Sequence, residues 1–90
     1  MLDYELTGPF NKDRKLMEKR HKDMHKLREV MRMLIQEIPL LPKHENHRLH
    51  GDYEGWWECH VEPDWLLIYC PDKKKRTITF FFFFSHSDLF

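Results

Sequence analysis

Trp56-Trp57-Glu58-Cys59-His60-Val61-Glu62-Pro63-Asp64-Trp65-Leu66-Leu67-Ile68-Tyr69 reads as a β-hairpin with chemistry at its bend. Apolar and aromatic residues run in and out of Glu62-Pro63-Asp64-Trp65, which suits a type I turn because the Pro63 ring presets φ at the second position. A tight turn centred on Pro63 and Asp64 sets Val61 opposite Leu66, Cys59 opposite Ile68 and Trp57 opposite Cys70. These six define an apolar core face. Trp56, Glu58, His60, Leu67 and Tyr69 form the other, mixed face, as expected of a sheet covered on one side only. His60 then points away from the core, with Asp64 and Trp65 at the same end of the sheet. Cys59 and His60 are strand neighbours and project to opposite faces, so they cannot form a nucleophile–base pair.

Upstream, Leu2-Asp3-Tyr4-Glu5-Leu6 alternates as a short strand and is ended by Thr7-Gly8-Pro9. Thr7 or Gly8 is placed to cap a helix from about Pro9 to Lys19, whose sparse apolar set is Phe10, Leu16 and Met17. From Met24, the residues Leu27, Val30, Met31, Leu34, Ile35 and Ile38 recur at helical spacing and form one continuous stripe. Asp23 is the natural N-terminal cap of that second helix, and Pro39 and Pro42 stop it. A connector with His44, His47 and His50 leads through Gly51 and Gly55 into the hairpin. A turn at Pro71-Asp72-Lys73-Lys74-Lys75 then precedes a last strand from about Arg76 to Phe83. The expected fold is α+β: a small antiparallel sheet of about four strands, in the order β-α-α-β-β-β, with two helices on one face. Residues 1–90 form a single domain, since a chain of this length supports one small core. Phe80 to Phe84 put aromatic rings on both faces of the last strand.

Fifteen Lys and Arg balance fifteen Asp and Glu, but the balance is uneven along the chain. Between Lys12 and Arg28, eight basic residues meet three acidic ones, a local excess of +5. The two helices therefore carry a basic ridge suited to phosphate, with Lys15, Lys19, Arg20 and Lys22 as candidate substrate contacts. No apolar run approaches the ~18 residues of a membrane span. Two cysteines without a secretory pattern point to a cytoplasmic, reduced protein with two free thiols on the core face. His44, His47, His50, Cys59, His60, Asp64 and Cys70 include zinc-binding residue types, yet their spacing fits no known ligand knuckle. No metal and no cofactor is expected, and a small zinc-binding domain is the lesser alternative. Acid–base cleavage of RNA fits the residue types better. RNA supplies its own nucleophile in the 2′-OH, imidazoles serve as base and acid near neutrality, a carboxylate such as Asp64 orients a histidine, and aromatic rings stack on bases.

Three segments carry a family resemblance: Lys19-Arg20-His21-Lys22-Asp23-Met24, the block from Glu58 to Tyr69, and the ending Ser85-His86-Ser87-Asp88-Leu89-Phe90. Together they make the chain similar, over essentially its whole length, to bacterial toxins of the RelE superfamily, YafQ group. The resemblance implies a ribosome-dependent mRNA endonuclease that acts without metal and is held inactive in a hetero-oligomer with a cognate antitoxin, being a monomer when free. It implies His47, His60, Asp64 and His86 as catalytic residues, with Trp65 and Phe90 near the nucleobases. His86 is expected as the general acid, and His60 with Asp64 near the 2′-OH. Where relatives commonly carry an Arg-Thr-Gly-like step before the Ser-His ending, this chain has Phe82-Phe83-Phe84. A cation that would steady the phosphorane is thereby lost, and the alternative expectation is a weakened or inactive toxin fold that only binds antitoxin or ribosome.

Overall fold

The computed structural model describes residues 1–85, with side chains as far as Phe81. Five strands and two helices are arranged as β1 (Asp3–Leu6), α1 (Gly8–Lys19), α2 (Met24–Ile35), β2 (His47–Arg48), β3 (Trp57–Glu62), β4 (Trp65–Asp72) and β5 (Thr77–Ser85). They form one sheet in the order β1-β5-β4-β3-β2. The α+β architecture with a helical layer agrees with the sequence, with two additions. The connector supplies a two-residue edge strand, β2, and β1 pairs parallel to β5 while all other neighbours are antiparallel. That parallel pair follows from the helical excursion, which returns the chain to the far side of the sheet before β5 is laid down beside β1.

Both helices start and stop on local chemistry. Thr7 Oγ1 accepts from the Phe10 amide at 3.2 Å and also donates to the Phe81 carbonyl, so the cap of α1 is tied to β5. Asp23 caps α2, its carboxylate accepting from the His25 amide at 3.1 Å. Each helix ends in a Schellman turn built on a non-glycine left-handed residue. His21 (φ 58°) follows α1, with Lys22 N–H donating to Met17 O at 3.1 Å; Glu37 (φ 59°) follows α2, with Ile38 N–H donating to Met33 O at 2.8 Å. The helix α2 therefore stops three residues before the expected Ile38, ahead of Pro39 rather than because of it.

The core lies between the helices and one face of the sheet. Phe10 and Met17 of α1 and Leu27 and Val30 of α2 pack on Cys59, Val61, Trp65, Leu67, Tyr69, Ile78 and Phe80. Phe80 sits 6.0 Å from Phe10 and 6.4 Å from Tyr69 between ring centroids. Burial of each large side chain here stabilises the fold by about 1.5–3 kcal/mol. Leu16, expected in the apolar set of α1, is exposed.

The hairpin corrects one expectation. Pro63 and Asp64 form the turn, closed by Glu62 opposite Trp65, but Val61 is an extra residue in a β-bulge. Beyond it the partners shift by one: His60 faces Leu66, Cys59 faces Leu67, Glu58 faces Ile68 and Trp57 faces Tyr69. Strand β3 keeps its expected faces and β4 exchanges its own. Trp65, Leu67 and Tyr69 join the helix-side core, whereas Leu66 and Ile68 are buried outside that cluster. Cys70 goes with them, half-buried, its thiol donating to Gly55 O at 3.2 Å, and Cys59 alone enters the core. A second bulge between β4 and β5 pairs Tyr69 with Phe80 and Ile68 with Phe82. On the face away from the helices, Trp56 stacks on Phe81 at 4.1 Å and 12°, with Tyr53 tilted against it at 5.3 Å.

Candidate active site

His60 lies on β3 between two core residues, Cys59 and Val61, so strand alternation turns it to the helix-free face. Its ring is 17% exposed, enough for a ligand to touch it. Nδ1 lies 3.0 Å from the Pro63 carbonyl. A carbonyl only accepts, so Nδ1 carries the proton and the neutral ring keeps its lone pair on Nε2. That Nε2 faces the Glu45 carboxylate at 3.6 Å.

His47 reaches the same end of the sheet through β2, where it is the register partner of Glu58. It repeats the pattern: Nδ1 donates to the Glu45 carbonyl at 2.6 Å and Nε2 faces the Glu58 carboxylate at 3.4 Å. Glu58 and His60 are two apart on one strand and therefore share a face. A third histidine, His44, is buried in a 3₁₀ turn at Pro42–His44, where its Nδ1 donates to the main-chain carbonyl of His60 at 2.7 Å. Two partly exposed imidazoles are thus held by main-chain acceptors, each with Nε2 directed at a carboxylate.

Other expected site residues are distributed differently. Asp64 is exposed on the turn, and the groups meeting the ring nitrogens of His60 are the Pro63 carbonyl and Glu45 instead. Trp65, expected near nucleobases, is fully buried in the core because the Val61 bulge turns β4 over. A ring with no exposed area has no face to offer a base. His86 and Phe90 lie outside the described residues. Lys15, Lys19 and Arg20 are exposed along α1 and its end, whereas Lys22 is half-buried with Nζ 5.9 Å from the centre of the Trp65 ring. Lys26 Nζ stands 4.0 Å from Glu62. The basic ridge is therefore anchored to the hairpin tip.

Glu45, Glu58 and the Pro63 carbonyl are site groups that the sequence reading does not single out. Glu58 is within its reach, since alternation puts it on the face of His60. Glu45 sits in a connector with no periodicity to betray its neighbours. Cys59 cannot serve as a nucleophile: burial, then the Glu58 charge, push its thiol up to about 12. Among the described residues no group of three or more His, Cys, Asp or Glu is arranged to hold a metal ion.

Two helices on a five-stranded mixed sheet, with two histidines on the opposite face, define the class as a small α+β protein, and comparison with known proteins supplies the family. Residues 2–90 match the family described as bacterial toxin of type II toxin-antitoxin system, YafQ. The mRNA interferase toxin YafQ of Escherichia coli K12 is 48% identical over 68 residues, 74% of each chain. The toxin in a crystal structure of the E. coli DinJ–YafQ complex superposes with a TM-score of 0.89 at 41% identity, over 100% of this chain and 99% of that one. A metal-bound toxin from Helicobacter pylori superposes at 0.90 with 39% identity, over 100% of both chains. The chain belongs to the YafQ family of type II toxins.

Proposed function

We propose that this protein is an mRNA-cleaving toxin, an endoribonuclease that acts on messages in the ribosome and is neutralised by a cognate antitoxin. One observation carries the reading: His47 and His60 lie at one end of the sheet, each with Nδ1 committed to a carbonyl and Nε2 facing a carboxylate. The E. coli relative's name, mRNA interferase toxin, supports the activity, and the DinJ–YafQ complex supports the partner. No described helix is long and apolar enough to cross a membrane. The proposed site of action is the cytoplasm, where ribosomes and messages are.

In this reading an imidazole Nε2, for which His60 is the candidate, takes the proton of a ribose 2′-OH. The oxygen attacks the adjacent phosphorus, the P–O5′ bond breaks, and an imidazolium, for which His86 is the candidate, protonates the departing 5′-oxygen. The products are a 2′,3′-cyclic phosphate and a 5′-hydroxyl. Positioned acid–base groups of this kind contribute about 10²–10⁴-fold each. His47 and Asp64 complete the proposed catalytic set. Lys15, Lys19, Arg20 and Lys22 contact the ribosomal or message backbone.

Induction of the chain alone in bacteria tests the reading. The expected result is growth arrest with message cleavage, relieved by co-expression of the antitoxin. Soluble, folded protein with unhindered growth would instead favour a binding-only member crippled by Phe82-Phe83-Phe84.

A further inference from the structure

One residue touches both histidines. Glu45 follows the 3₁₀ turn in a left-handed conformation, φ 43° and ψ 46°, which a residue with a side chain rarely adopts. Its main-chain carbonyl accepts from His47 Nδ1 at 2.6 Å, while its carboxylate lies 3.6 Å from His60 Nε2. The neighbouring residues seat this loop on the sheet. His44 donates to the His60 carbonyl at 2.7 Å, Asn46 Oδ1 accepts from the Tyr69 hydroxyl, and His47 faces Glu58. Four consecutive residues, 44–47, therefore meet β3 and β4 one after another, and the one in the unusual backbone conformation is the one linking the two rings.

We infer that Glu45 is the positioning residue of the site: its main chain sets the ring of His47, and its carboxylate sets the ring of His60. This rests on the functional reading above. Glu45 acts through the histidines and does not itself touch the reacting atoms. The sequence points to Asp64 for that orienting part, but the carboxylate that meets His60 comes from the connector rather than from the turn. The Glu45 side chain is 69% exposed, so solvent screens the pair and the effect is moderate rather than absolute.

Two variants separate charge, backbone and fold. Glu45→Gln keeps the shape and removes the charge. Glu45→Gly removes the side chain at a position whose φ suits glycine, so folding is preserved. Steady-state cleavage of ribosome-bound message should show kcat reduced on the order of tenfold in both, with KM within about twofold, as expected of a group acting on ring geometry. In ¹⁵N–¹H spectra of the free toxin, the His60 ring signals should shift or broaden in both variants. The His47 ring signals should persist in Glu45→Gln, because the carbonyl that holds them is intact. Wild-type kcat in either variant, or an unmoved His60 ring, would overturn the assignment. If the wild-type protein itself fails to cleave, the functional reading fails and the ring spectra alone decide whether Glu45 holds His60.

Discussion

Trp65 shows most clearly how a residue's part is decided by a neighbour's geometry. Its place beside Pro63 and Asp64 suggests a ring at the bend for stacking on a base, yet the bulge at Val61 drives it into the core at 0% exposure. Trp65→Ala should therefore destabilise the fold by about 3–5 kcal/mol, measured by urea denaturation. A surface stacking residue would leave stability nearly unchanged. Cys59 and Tyr69 make a second prediction at this scale. Burial raises the Cys59 thiol to about 12 and also raises the Tyr69 hydroxyl, chiefly by desolvation with the Cys59 charge second. Because both folded-state values lie above the unfolded ones, the neutral groups favour the fold fully below about pH 8.5. That contribution falls as pH rises toward 12, at about 1.4 kcal/mol per unit for one group. Denaturation between pH 8 and 11 should show declining stability, and Cys59→Ala should flatten the first part of the decline.

Among the elements, the helices are legible in the sequence because their signals are local. Thr7 and Asp23 as caps, and the stripe from Met24 through Ile35, can all be read there. What ends the helices cannot, since His21 and Glu37 adopt left-handed geometry without the glycine that usually announces it. His21→Gly should relieve that strain and raise stability by about 0.5–1 kcal/mol, seen as an increase of a few degrees in Tm. The hairpin turn is also legible, but a single inserted residue changes which face every later β4 side chain takes, and apolar residues on both faces of β4 hide that change. His60 keeps its face because the bulge falls after it in the chain. The carboxylates Glu45 and Glu58 escape notice for different reasons. Glu45 lies in an irregular loop, and Glu58 meets His47 only through β2, a strand too short to show a pattern.

For the whole molecule, a formal charge of zero conceals a division of labour. The basic ridge of α1 and α2 meets the hairpin tip through Lys22 over Trp65 and Lys26 beside Glu62. In the proposed function, that ridge would attract the phosphates of the message or ribosomal RNA. Replacing Lys19 or Arg20 with Ala should weaken ribosome association at low salt and make log Kd less steep in log salt, by about one unit of slope for each phosphate left without its cation. The cleavage step, once the complex is saturated, should be little changed.

A histidine on the helix-free face of this sheet is proposed to perform RNA cleavage. Mapping the ends of translated message after treatment with purified toxin tests it most directly, with wild-type protein and His60→Ala compared at equal, verified folding. The expected result is cuts ending in 2′,3′-cyclic phosphates for the wild type and a loss of about 10²–10⁴-fold in the variant. Unreduced cleavage by His60→Ala, or no cleavage by folded wild-type protein on translating ribosomes, would contradict it.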